Sequence, residues 1–137
     1  MRITFIQPSM MAGRQYDALE PLAFGVLSAC TPPGVEQAFF DQRIEDVPYD
    51  DPTDLVAISV ETFTAKSAYQ IACRYRKRGV PVVMGGHHPT LCQDEALRFA
   101  TAIVVGEAED VWPEVVNDAR NGTLRRIYSR RAPCLEG

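Results

Sequence analysis

Leu55-Val56-Ala57-Ile58-Ser59-Val60 and Val80-Pro81-Val82-Val83-Met84-Gly85-Gly86 decide the fold. Each is a short, nearly unbroken apolar run, the signature of a parallel strand covered on both faces. Between them, Thr64 to Arg78 has the period of an amphipathic helix, and Gly79 marks its stop. Strand, helix and strand in this order make a βαβ unit. Toward the N-terminus, Ile3 to Gln7 predicts a first strand ended by Pro8, followed by a long loop from Pro8 to Asp17. Glu20-Pro21 opens a helix through Leu22, Phe24, Val26 and Leu27, which Pro32-Pro33-Gly34 stops. Val35 to Asp41 is the second strand. Toward the C-terminus, Pro89 to Phe99 predicts a helix and Ala102 to Val105 a short buried strand ending at Gly106-Glu107. Glu109 to Asn121 predicts a last helix carrying Val111, Trp112, Val115 and Val116, and Leu124 to Tyr128 is a candidate edge strand.

Strands alternating with helices predict an α/β fold with a parallel sheet. Five strands of this length fit a flavodoxin-like (Rossmann-like) sheet of order 2-1-3-4-5 with helices on both faces. Ligands of such sheets sit outside the carboxyl ends of the strands, at the switch between the first and third. Four loops therefore matter: those starting at Gln7, Ser59, Gly85 and Gly106.

Composition narrows the function. The 137 residues suit one domain, 46% hydrophobic and 23% charged. Fourteen basic against 18 acidic residues give a net charge of −4, which argues against a general nucleic-acid binder. No apolar run reaches the roughly 20 residues of a membrane span. Met1 to Pro8 does not read as a signal peptide, so a cytoplasmic location is expected. The four cysteines, at 30, 73, 92 and 134, form no C-x-x-C pair, so no zinc ribbon or iron–sulfur motif is readable. The only histidines are the neighbours His87 and His88, which rules out a many-histidine centre. No protein metal site is expected. Arg74, Arg76, Lys77 and Arg78 close a helix and complement its dipole, with a phosphate or partner contact as the alternative.

The strand-end loops lack familiar nucleotide chemistry. Receiver domains need acidic residues at the first and third strand ends, where this chain has Gln7-Pro8 and Ser59-Val60. Pro8-Ser9-Met10-Met11-Ala12-Gly13 is too apolar for a flavodoxin-type phosphate loop, and neither G-x-G-x-x-G nor a P-loop occurs. What remains is small: Ser59 with Thr62 nearby, Gly85-Gly86, and Gly106. Small residues at consecutive strand ends let a bulky group approach the backbone and would open a slot between sheet and helices. Glycine at a strand end also serves simple turns.

Four stretches carry a resemblance: Glu20-Pro21-Leu22-Ala23-Phe24-Gly25-Val26-Leu27, Ile58-Ser59-Val60-Glu61-Thr62, Met84-Gly85-Gly86-His87-His88-Pro89-Thr90, and Val105-Gly106-Glu107-Ala108-Glu109 followed by Trp112-Pro113-Glu114. In this order the chain, from about Ile3 to Tyr128, resembles the N-terminal cobalamin-binding domain of cobalamin-dependent radical SAM enzymes. That family includes anaerobic magnesium-protoporphyrin monomethyl ester cyclases and methyltransferases. The resemblance implies a corrin on the sheet edge and a nucleotide tail threaded into the slot. By that analogy Ser59, Val60, Glu61 and Thr62 flank the tail, and Gly85 and Gly86 let it pass. Gly106 and Glu107 close its far side, and the Pro8 to Gly13 loop, with Pro8, Ser9 and Met10, faces the corrin. His88 matches the histidine of a G-G-x-H-x-T pattern; it either orders the loop through backbone hydrogen bonds or contacts cobalamin. His87 is expected to be exposed. Glu107 and Glu109 are read as charges favoured by the last helix's N-terminus.

Methionine-synthase-like cobalamin domains carry D-x-H-x-x-G in the first βα loop, and here that loop has neither aspartate nor histidine. Cobalamin is therefore expected base-off, without a protein histidine on cobalt, with Met10 or Met11 packing beneath the corrin. The expected function is a cofactor-holding module, residues 1–128, with 129–137 a linker and tail toward a C-terminal radical SAM domain of the same polypeptide. S-adenosylmethionine and a [4Fe-4S] cluster would belong to that domain, because no C-x-x-x-C-x-x-C motif occurs here. This stretch alone is expected to catalyse nothing. The alternatives are a stand-alone flavodoxin-like regulatory or small-molecule domain, with Ser59, His88 and Glu107 on another anionic ligand, or a degenerate domain serving as an interaction surface.

Overall fold

The computed structural model describes residues 1–10 and 22–130. The strands are β1 (Arg2–Gln7), β2 (Glu36–Asp41), β3 (Leu55–Ser59), β4 (Val82–Gly85), β5 (Ala102–Val105) and β6 (Ile127–Ser129). The helices are α1 (Leu22–Cys30), α2 (Ala65–Lys77), α3 (His87–Leu91), α4 (Gln93–Phe99) and α5 (Trp112–Asn121), with a 3-10 turn at Thr62–Thr64. The sheet order is β2-β1-β3-β4-β5-β6 and every pairing is parallel. The flavodoxin-like α/β class holds. The strand count is corrected from five to six: the candidate edge strand forms, shifted to Ile127–Ser129, and pairs Val104 with Tyr128.

Period-two alternation sorts the strand residues into two cores. Ile3, Phe5, Leu55, Ala57, Val83, Ala102 and Val104 face α1 and α5, where Phe24, Trp112, Val115 and Val116 complete the packing. Ile6, Val56, Ile58, Val82, Met84 and Ile103 face α2 and α4. On α2 the buried residues Ala68, Tyr69, Ile71, Ala72 and Tyr75 recur at helical spacing, and full burial of each large apolar side chain contributes roughly 1.5–3 kcal/mol. The α5 helix starts with Pro113 in its first turn and ends at Gly122 with φ 70°, a left-handed cap.

Two further expectations are corrected. The single helix over Pro89 to Phe99 is two, broken at Cys92 (φ −124°, ψ 59°). The last helix begins at Trp112 rather than Glu109, so Glu107 and Glu109 stand on the preceding loop and Glu114 is the acidic residue of the first turn. The basic cluster on α2 is engaged structurally: the Arg74 guanidinium lies 3.5 Å over the Tyr49 ring, and Arg76 donates to the Phe99 carbonyl at 3.0 Å. The Glu20-Pro21 helix start, Met11 to Gly13, Cys134 and most of the 129–137 tail lie outside the described residues.

Candidate functional site

A cleft of about 650 Å³ opens at the carboxyl ends of β3, β4 and β5, between the sheet and helices α1 and α5. Its floor is made by strand residues on the α1/α5 face of the sheet: Ala57, Ser59, Val83, Gly85 and Val104. Ser59 and Gly85 are register partners, so the two smallest strand-end residues lie side by side. Phe24, Val26 and Leu27 of α1 form one wall and Trp112 the other. Trp112 is 1% exposed and its indole N–H donates to Thr31 Oγ1 at 2.9 Å, tying α5 to the end of α1. The rim carries Glu61, His87, Glu107 and Glu109.

The two glycines after β4 do different things. A Cβ on Gly85 would stand 3.8 Å from Val104 Cβ, an ordinary contact, and would begin to fill the cleft. A Cβ on Gly86 would stand 2.7 Å from the Val60 carbonyl oxygen, and the residue has φ 106°. Gly86 is needed first by the chain itself. It lets the β4 loop cross the Val60 backbone, and the His88 N–H donates to that carbonyl at 3.2 Å. Both glycines line the cleft, and Gly86 makes the loop crossing as well.

Hydrogen bonds stitch the three rim loops together. Thr90 Oγ1 donates to the Gly86 carbonyl at 2.9 Å and accepts the Gly106 N–H at 3.0 Å. His87 Nδ1 lies 3.1 Å from Glu61 Oε2. The Glu61 N–H donates to Thr64 Oγ1 at 3.0 Å, which fixes the turn leaving β3.

The sequence-derived candidates thus divide. Ser59, Glu61, Gly85, Gly86, Gly106 and Glu107 converge on the cleft. Val60 is fully buried and packs on the α2/α4 side. Thr62 lies outside the cleft, its Oγ1 3.3 Å from Nδ1 of the buried His88. His87 is exposed as expected, but it is the first residue of α3 rather than a loop residue. Pro8 and Ser9 are buried at the end of β1, and the Ser9 N–H donates to Gln42 Oε1 at 2.9 Å. Met10 is 59% exposed. Phe63, in the 3-10 turn after β3, and Leu91, the last residue of α3, are also exposed. The sequence does not mark Phe24 and Trp112 as cleft walls, because an apolar residue on an amphipathic helix reads as core. Thr90 was visible in the motif but not as a bridge between loops.

A more open groove of about 730 Å³ lies on the other side, lined by Tyr49 of the β2–β3 connection and by helix residues including Tyr69, Arg74, Lys77 and Phe99. It is away from the small strand-end residues that line the α1/α5 cleft.

The B12-binding domain family matches residues 27–116, which include both register-paired strand ends and the wall residue Trp112. The chain belongs to that family. It is 39% identical over 111 residues to bacteriochlorophyllide d C-8(2)-methyltransferase of Chlorobaculum tepidum, covering 80% of this chain and 25% of the relative. It is 40% identical over 92 residues to bacteriochlorophyllide d C-12(1)-methyltransferase of the same organism, covering 66% of this chain and 20% of the relative. The chain therefore spans about a quarter or less of the length of these relatives. Among solved structures, the N-terminal domain of the hypothetical protein TM0182 of Thermotoga maritima aligns with a TM-score of 0.52 at 17% identity. That alignment covers 88% of this chain and all of the other, and it speaks for the fold alone. Among the described residues no helix is long and apolar enough to cross a membrane.

Proposed function

We propose that this B12-binding domain holds cobalamin base-off, with no protein histidine on cobalt, and presents it to a radical SAM catalytic domain of the same polypeptide. The α1/α5 cleft carries this reading. It is a long slot at the strand ends, floored by Ser59 and Gly85, where even a methyl group at residue 85 would take up space. Such a slot suits the nucleotide tail, with Ser59 and the rim loops of Glu61, Gly106 and Glu107 offering polar contacts. The exposed Met10, Phe63 and Leu91 offer an apolar bed for the corrin.

Base-off binding is supported by where the histidines stand. Both follow β4, and the first βα loop has none. When bound, cobalamin supplies a cobalt centre able to carry a methyl group. This chain's residues would bind, orient and desolvate it. S-adenosylmethionine, a [4Fe-4S] cluster and the substrate are assigned to the downstream domain, and the two similar methyltransferases make methyl transfer the favoured reaction for the whole protein.

Hydroxocobalamin added to the purified chain, followed by desalting and a visible spectrum, tests the reading. The expected result is retained cobalamin with a base-off spectrum. Loss of the cofactor on desalting, both from this chain and from a form extended through the downstream domain, overturns cobalamin holding and favours a domain for another ligand. A retained base-on spectrum overturns only the base-off assignment.

A further inference from the structure

The break between α3 and α4 gathers a donor set that the cleft does not use. We propose that His88, Cys92 and Glu95 form a binding site for a zinc-class divalent cation on the α2/α4 face, separate from the cobalamin cleft. The imidazole nitrogen, thiol sulfur and carboxylate oxygen all lie within 4.8 Å of one another. The arrangement follows from chain geometry: positions i, i+4 and i+7 share one side of a helix, and the kink at Cys92 keeps all three on that side.

His88 points to a ligand by itself. Its side chain is 7% exposed, and its buried Nε2 has no hydrogen-bond partner. The nearest carboxylate oxygen, Glu95 Oε1, stands 3.5 Å away without the alignment of a hydrogen bond. A buried polar atom left this way has lost its water without gaining a partner, which a bound cation would relieve. The other ring nitrogen is already held, with Nδ1 3.3 Å from Thr62 Oγ1. Metal-bound histidines are usually oriented by such a bond at the opposite nitrogen, which leaves Nε2 as the donor.

The chemistry selects the cation. One nitrogen, one sulfur and one oxygen donor suit zinc and its neighbours rather than magnesium or calcium, which prefer oxygen alone. In a tetrahedral zinc site nitrogen and oxygen donors stand about 3.3–3.5 Å apart, close to the His88–Glu95 separation. Half-buried Cys92 and exposed Glu95 can complete the set by rotamer changes. The Cys92 thiol gives its proton to solvent on binding, and water takes the fourth position.

Cobalt(II) added to the metal-free, cobalamin-free chain is the probe, because a thiolate ligand produces a charge-transfer absorption. The expected result is one such band per chain, displaced by zinc. Cys92→Ser should abolish it, Glu95→Gln should weaken cobalt binding about tenfold or more, and Cys73→Ser should leave it intact. Circular dichroism of each variant reports folding, and the exposure of Glu95 keeps that variant informative if Cys92→Ser is unstable. Absence of the band at excess cobalt, or its survival in a folded Cys92→Ser variant, overturns the site. Neither outcome bears on cobalamin retention, which is read by a different spectrum.

Discussion

The two faces of one sheet finish differently at the carboxyl ends of β3 and β4. On the α2/α4 face the last inward residues are Ile58, Val60 and Met84, all buried against α2. On the α1/α5 face the corresponding ends are Ser59 and Gly85, and the space they leave is the cleft. Adjacent residues of the same strands therefore close one core and open the other. Helix α1 repeats the contrast: Phe24 is its one buried residue among those described, whereas α2 buries six. The cleft is a local gap in one otherwise packed layer, made by two small residues in register. It is not a sign of a thin core.

Substitutions at neighbouring glycines break this comparison most directly. Gly86→Ala places a Cβ 2.7 Å from the Val60 carbonyl at a φ of 106°, so it disturbs the closed face. A stability loss of roughly 3 kcal/mol is expected from urea unfolding, combining backbone strain and collision. A loss below about 1 kcal/mol would mean that the loop crossing is not tight. Gly85→Val adds its bulk to the open face, where Val104 is the nearest neighbour at 3.8 Å from a Cβ. Its stability should change by less than about 1 kcal/mol, since a β-branched residue suits a strand. Cobalamin affinity, titrated by absorbance, should fall about tenfold or more, equivalent to about 1.4 kcal/mol. Undiminished affinity would move the ligand elsewhere.

This asymmetry also separates what the sequence discloses from what it hides. The apolar runs at Leu55–Val60 and Val80–Met84 disclose the central strands, and period two then implies which residues share a face. Ser59, Gly85, Gly106 and Glu107 are legible because small or polar residues follow those runs directly. The role of Gly86 is hidden, because its close contact is with Val60, far away in sequence. So is the break at Cys92: the apolar pattern continues through it, and only φ and ψ reveal the kink. Phe24 and Trp112 are hidden as walls because the same side chains that line the cleft also pack the core.

Weaker tests sharpen the contrast. Thr90 bridges the Gly86 carbonyl and the Gly106 N–H, so Thr90→Val removes two hydrogen bonds, one of which joins the β4 and β5 loops. Because the Gly106 end is exposed to water, a stability loss of about 1 kcal/mol is expected in urea unfolding. On the closed face Tyr75 is fully buried with its hydroxyl donating to the Pro48 carbonyl at 3.1 Å. Burial pushes its pKa from the ordinary 10.0 up to about 12. The unfolded chain releases this proton first, so the contribution to stability is intact below pH 10 and is lost as pH rises toward about 12. Tyr75→Phe should make the alkaline decline shallower, read from thermal midpoints across that range. An unchanged decline would place the titrating groups elsewhere.

The smallest effect is expected at the rim. His87 Nδ1 meets Glu61 Oε2 at 3.1 Å and links the β3 and β4 loops, yet the histidine side chain is 85% exposed. Water and salt screen such a pair, so His87→Ala should cost no more than about 0.5 kcal/mol at any pH. A larger loss in urea unfolding, relieved by high salt, would show that this pair fastens the rim in the way Thr90 does. The closed face owes its order to buried side chains. The open face should owe its order to the Thr90 hydroxyl, which bridges two backbone groups, and to Trp112 held by Thr31.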